Sequence, residues 1–149
     1  MKNKMKVVLA DTDESFRMML QRMIEAAGDF RVVGSVGSGA DAWYVIEREC
    51  PQLVIMDVIL PELDGFGLLD RMAAMAARPR AILVSAFCQG QVVSRAMTQG
   101  AESFLPKPCE VNELLGQMRH VAQRAEAEDA RNAALERLVT PVIHEVGMP

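Results

Sequence analysis

Apolar residues along this chain fall into two alternating patterns. Short unbroken runs end abruptly at polar residues: Val7-Val8-Leu9-Ala10 at Asp11, Leu53-Val54-Ile55-Met56 at Asp57, Ala81-Ile82-Leu83-Val84 at Ser85. Between them, apolar residues recur at helical spacing. Phe16, Met19, Leu20, Met23, Ile24 and Ala27 mark one helix face, and Gly28 suits its end. The pattern predicts strands at 6–10, 30–36, 53–56, 81–84 and 103–105. It predicts helices on the stripes Ala42-Trp43-Val45-Ile46, Leu69-Met72-Ala73-Ala76, 91–99 and Val111-Leu114-Leu115-Met118-Val121-Ala122. Cys50-Pro51 stops the second helix. The methionine stripe of the first helix reads as core.

Unbroken apolar strands are strands covered on both faces, as in parallel sheets. Strand and helix alternate along the chain, so the expected class is α/β, a doubly wound parallel sheet of five strands. Right-handed crossovers leave few topologies. In such sheets ligands bind beyond the carboxyl ends of the strands. The polar residues placed there are Asp11, Asp57, Ser85 and Lys107.

Residues 124–134 change character. They are rich in Ala, Glu, Asp, Arg and Asn and read as a solvated helical linker. Leu135, Leu138, Val139, Val142, Ile143 and Val146 then form a new stripe. Thr140-Pro141 could serve as an N-cap with proline at the first helical position. The expected organisation is a domain over 1–124, a linker over 125–134 and a further helix in a C-terminal tail over 135–149.

Composition narrows the function. The chain has 149 residues, about one domain, and half of them are hydrophobic. A net charge of −4 argues against direct nucleic-acid binding, which needs a basic face. No apolar run is long enough for a membrane span, and the opening apolar stretch is too short for a signal peptide. Cys50, Cys88 and Cys109 are odd in number and form no CxxC pair, so a reduced cytoplasmic setting is expected, without disulfide or zinc site. Gly34, Gly37 and Gly39 are out of order for a phosphate-binding GxGxxG and read as a turn.

The four strand-end residues have a shared chemistry. Two carboxylates with main-chain oxygens suit a hard divalent ion such as Mg²⁺, which keeps several waters. Lys107 adds a mobile positive charge and Ser85 a hydroxyl. Such a set can hold a phosphoryl group, whose transfer needs mainly positioning and electrostatics. An Asp carboxylate can itself be the acceptor and become an acyl phosphate.

The ordered set resembles the receiver domain of two-component response regulators. It comprises Ala10-Asp11, Met56-Asp57-Val58-Ile59-Leu60-Pro61 with Asp64-Gly65, Val84-Ser85-Ala86 and Lys107-Pro108, within residues 5–124. The resemblance implies a flavodoxin-like fold with strand order 2-1-3-4-5. It implies that Asp57 is the phosphoacceptor, that Asp11 and Asp57 hold Mg²⁺ with the Ile59 carbonyl, and that Lys107 contacts the phosphoryl group. Ser85 and Phe104 become the switch pair, and the Lys107-Pro108 bond becomes cis. The implied donor is a histidine kinase or histidine phosphotransferase. The output is a change of dimerisation, and self-dephosphorylation is expected without enzymatic turnover.

Two positions depart from the pattern. The family usually has adjacent acids after the first strand, whereas Thr12 follows Asp11 here. Mg²⁺ should bind more weakly unless Asp13, a further candidate ligand, swings in. Asp13 is preferred as a helix cap. Cys109 stands where an aromatic often follows Lys-Pro, and only a packing change is expected from it.

The tail adds a second resemblance. Leu138-Val139-Thr140-Pro141-Val142-Ile143-His144-Glu145-Val146-Gly147-Met148-Pro149 is similar to the opening of the DNA-binding domain of the stage 0 sporulation protein A family. That family controls transcription at the onset of sporulation. DNA would be reached only through an output domain of which this chain carries the first helix. Two other readings stay open. One is a phosphorylation-independent interaction module, motivated by Thr12. The other is a hydrolase of the haloacid dehalogenase type, disfavoured because Ile59 stands where such enzymes place a second Asp.

Overall fold

The apolar runs form the strands. The computed structural model describes residues 3–145, with side chains to residue 139. The strands are β1 (Met5–Ala10), β2 (Phe30–Val36), β3 (Leu53–Met56), β4 (Arg80–Ser85) and β5 (Ser103–Pro106). They pair in parallel in the order β2-β1-β3-β4-β5, as the doubly wound reading requires. The helices are α1 (Glu14–Ala26), α2 (Gly39–Glu49), α3 (Gly65–Ala73), α4 (Gly90–Thr98) and α5 (Val111–Glu145).

Burial explains why the strands are apolar without interruption. Val8, Ala10, Val54, Met56, Ala81 and Leu83 join one core with Ala42, Ile46, Leu68, Met72 and Ala96. The alternate residues Val7, Leu9, Leu53, Ile55, Ile82 and Val84 are buried as well. Both faces of the central strands are therefore dry. Each fully buried Leu, Ile or Val contributes about 1.5–3 kcal/mol relative to exposure.

Local signals set the helix starts. Asp13 accepts a hydrogen bond from the Phe16 N–H, Ser38 from Asp41 and Asp64 from Gly67. Each caps a helix whose first amides lack intrahelical partners. Gly28 adopts a φ of 88° just past α1 and Gly100 a φ of 104° past α4. Both are left-handed positions that glycine takes without strain.

Three expectations are corrected. The methionines of α1 are not core: Met19 is 42% exposed and Met23 39%, and only Leu20 and Ile24 of this helix are buried. The stripe read from the sequence is wider than the face the helix buries. The third helix begins earlier than its stripe, because Asp64 caps it, and its buried face is Phe66, Leu68, Leu69 and Met72. Ala73 and Ala76 are exposed. Finally, no new helix starts at Thr140-Pro141: helical backbone continues from Val111 to Glu145. Residues 124–134 are mostly strong helix formers, so nothing there ends the helix. The side chains of residues 140–149, and residues 146–149 entirely, lie outside the described residues, and with them most of the sporulation-type motif.

The chain divides into two units, Met1–Gln117 and Met118–Pro149. The first holds the sheet. The second is helical through Glu145, and every residue from 126 to 139 is exposed. Among the described residues, no helix is long and apolar enough to cross a membrane.

One close approach ties α2 to the segment after β3. The Gly39 N–H donates to the Pro61 carbonyl at 3.0 Å. A Cβ at Gly39 would lie 1.6 Å from the Leu63 carbonyl oxygen. Backbone would have to move, so Gly39→Ala should destabilise the fold by about 1–3 kcal/mol, the range for overpacking. A lower urea midpoint with an unchanged m-value is the expected result.

Candidate functional site

The strand-end residues are held by the ladder itself. Ala10 lies level with Met56, and Met56 with Leu83. Hydrogen bonds then extend the ladder past the strand ends. The Asp11 N–H donates to the Val36 carbonyl (3.1 Å), Asp57 to Ala10 (3.0 Å) and Lys107 to Ser85 (2.9 Å). Backbone pairing therefore fixes where each functional side chain begins.

The side chains converge. The Lys107 ammonium donates to Asp11 Oδ2 at 2.6 Å and to Asp57 Oδ2 at 2.9 Å. The Ser85 hydroxyl donates to Asp57 Oδ1 at 2.5 Å, and the Ile59 N–H donates to the same oxygen at 3.0 Å. The Phe87 N–H in turn donates to the Ser85 hydroxyl oxygen at 3.1 Å. Among the described residues, the buried polar or charged ones are Asp11, Asp57 and Ser85. Polar groups are rarely buried without partners or purpose, and here all three sit at one edge of the sheet.

Lys107 is held rather than mobile. Besides the two carboxylates, it lies over the Phe16 ring, 4.9 Å from its centroid. Burial is the largest single influence on its pKa and acts to lower it. Hydrogen bonds and charges from Asp11 and Asp57 together outweigh burial, and the pKa ends above 10.5. Lys107 is thus a fixed cation at neutral pH. The Lys107-Pro108 bond is cis, as the resemblance implied. Burial, followed by the charge of Glu113, pushes the Cys109 thiol up, away from a reactive thiolate.

Not every candidate joins the cluster. Asp13 is exposed and serves α1 as its cap, the reading preferred from sequence, while its own N–H donates to Asp11 Oδ1 at 2.9 Å. Thr12 is exposed. Phe104 sits on β5 level with Leu83, half-buried and packed against the core. Sequence reasoning missed Phe16 and Arg17. Arg17 donates to the Asp11 carbonyl and, at 3.0 Å, to the Ser35 hydroxyl. Both residues act on partners that only the fold brings near, so no local pattern marks them.

The donor set tests the metal expectation. No group of three Asp, Glu, His or Cys side chains able to hold a metal occurs among the described residues. Asp11 and Asp57 do share one ammonium through their Oδ2 atoms, so one small cation lies within reach of both. Two carboxylates completed by waters and main-chain oxygens fit Mg²⁺, which does not need an all-protein cage.

Comparison with known proteins agrees with this geometry. The response regulator receiver domain family matches residues 7–119. The signal receiver domain of the putative response regulator NarL from Mycobacterium tuberculosis is similar at 28% identity and TM-score 0.77, over 82% of this chain and 98% of that one. The signal receiver domain of a putative Luxo repressor protein from Vibrio parahaemolyticus is 26% identical, with TM-score 0.80 over 86% and 97%. The response regulator domain of CheB from Thermotoga maritima is 27% identical, with TM-score 0.73 over 80% and 96%. With the sheet order and the buried acid pair already in place, these matches make the chain a member of the response regulator receiver domain family.

Proposed function

We propose that this chain is a phosphoacceptor switch in which Asp57 takes a phosphoryl group from a phosphohistidine of a histidine kinase or histidine phosphotransferase. The observation that carries the reading is the environment of Asp57. Its carboxylate is held by Ser85 on one oxygen and by Lys107 on the other, and Asp11 shares the same ammonium.

The chemistry follows from that environment. An Asp57 oxygen attacks phosphorus, an O–P bond forms and the donor's N–P bond breaks. The leaving imidazole keeps the electron pair and is neutralised by a proton. Lys107 balances charge on the incoming phosphoryl oxygens from a fixed position. Ser85 must release Asp57 Oδ1 and can turn its hydroxyl to a phosphoryl oxygen. Phe104, half-buried on β5 level with Leu83, would supply the aromatic of the switch pair. Such a switch works because new contacts favour one of two existing states. Asp11, Asp57 and the Ile59 carbonyl would hold Mg²⁺, which neutralises phosphoryl charge when bound. Thr12 and the capping role of Asp13 leave the set one acid short of the family pattern. Hydrolysis of the acyl phosphate would reset the switch without enzymatic turnover.

The finer assignment rests on the tail. The similarity of residues 138–149 to the stage 0 sporulation protein A family supports a cytoplasmic regulator of transcription at sporulation onset. Receiver dimerisation would be the output, and DNA would be reached through the output domain that follows in that family.

Intact mass after incubation with acetyl phosphate tests the reading. One phosphoryl group should add in the presence of Mg²⁺, and none in Asp57→Asn. No addition at any Mg²⁺ concentration would move the chain to a phosphorylation-independent interaction module. Thr12→Asp should tighten Mg²⁺ binding by at least about tenfold, the scale of outer-shell changes at metal sites. Isothermal titration reads this directly. Lys107→Ala leaves two carboxylates facing each other without their cation. It should destabilise the fold by about 1–3 kcal/mol, less than a fully buried pair because the ammonium is partly exposed. Millimolar Mg²⁺ should restore part of that loss in the urea midpoint.

A further inference from the structure

Four contacts close into a circuit around Asp11. The Asp13 N–H donates to Asp11 Oδ1 at 2.9 Å, and the Phe16 N–H donates to Asp13 Oδ1 at 3.1 Å. The Lys107 ammonium lies over the Phe16 ring, 4.9 Å from its centroid, and donates back to Asp11 Oδ2 at 2.6 Å. The helix cap therefore does more than start α1. It fixes the backbone of Phe16 in the first turn, and with it the place from which the half-buried ring meets Lys107. Asp13 turned toward a metal would release that backbone.

Lys107 has three N–H donors and no acceptor. Asp11 Oδ2 and Asp57 Oδ2 take two of them. The face of Phe16 is the third partner, and its ring quadrupole attracts the cation. A leucine there would fill space without that attraction. The two carboxylates the ammonium bridges are also those that would hold Mg²⁺. Two cations repel strongly at such a distance, so a metal can enter only as the ammonium draws back. We infer that Phe16 is a positioning residue, whose ring holds the Lys107 ammonium across Asp11 and Asp57 and thereby sets how readily Mg²⁺ displaces it. The second half of this inference rests on the Mg²⁺ reading above; the first half rests on the contacts alone.

A double-mutant cycle read by urea unfolding, without metal or phosphoryl donor, tests the first half. Phe16→Leu should cost about two- to fivefold more in the folding equilibrium constant beside Lys107 than in a Lys107→Met background, the scale of a partly exposed cation–π contact. Phe16→Tyr keeps the ring face and should keep the coupling. Isothermal titration with Mg²⁺ alone tests the second half. Affinity should rise by about two- to fivefold in Phe16→Leu and stay at the wild-type value in Phe16→Tyr. Fluorinated phenylalanines at position 16 keep the shape while draining the ring face, and they need no change at Lys107. Mg²⁺ affinity should rise stepwise along that series. Absence of coupling in the cycle overturns the inference, and so does an Mg²⁺ affinity that is unchanged or lower in Phe16→Leu and the fluorinated series. A wild-type chain that takes up no Mg²⁺ overturns the metal reading of the site and the second half with it, while the cycle still decides the first.

Discussion

The site depends on one ammonium group shared by two carboxylates. Without Lys107, Asp11 and Asp57 would be two buried like charges side by side, an arrangement that raises the energy of the ionised pair. With it, each carboxylate has a cation within hydrogen-bond distance. Lys107 starts from a fixed place because the backbone leaving β5 continues the ladder through the Lys107 N–H to Ser85, and its long side chain spans the remaining distance to both acids. A chain segment about a hundred residues from Asp11 thereby completes its charge balance.

Parallel pairing makes this arrangement economical in parts. Four strands end within a residue or two of one another, so the residues at or just beyond their ends are delivered to the same edge. The dry faces on either side supply the stability, and the edge carries the polar groups. Ser85 illustrates the division. It is the last residue of β4 and is fully buried, yet its hydroxyl both donates to Asp57 and accepts from Phe87. Its hydrogen-bonding capacity is in use on both sides, which gives it a defined starting position.

Much of this was legible before the fold was known. Unbroken apolar runs marked the strands because both faces are covered. The residue after each run marked the site because strand ends converge in this topology. What could not be read were contacts created by packing. Phe16 looks like one more core residue of α1 until the fold lays Lys107 over its ring. The methionines of α1 have the spacing of a buried face, but periodicity measures a stripe's direction better than its width. At Thr140-Pro141 a cap-and-proline signal lost to the helix already running through it. Asp13 was the instructive opposite case, since its side chain makes the helix-cap contact preferred from sequence.

The contact between Gly39 and the Leu63 backbone has a consequence for how variation in this chain should be interpreted. Residue 39 is distant from Asp57 in sequence and touches none of the acids. Yet it abuts the loop that leaves Asp57, and Gly65, the first residue of α3 after that loop, packs against the Asp57 and Val58 backbone. A side chain at position 39 would press directly on the Leu63 backbone within that connection. A natural substitution there would be misfiled as a change in a remote helix, although the backbone it presses on is the link between Asp57 and α3.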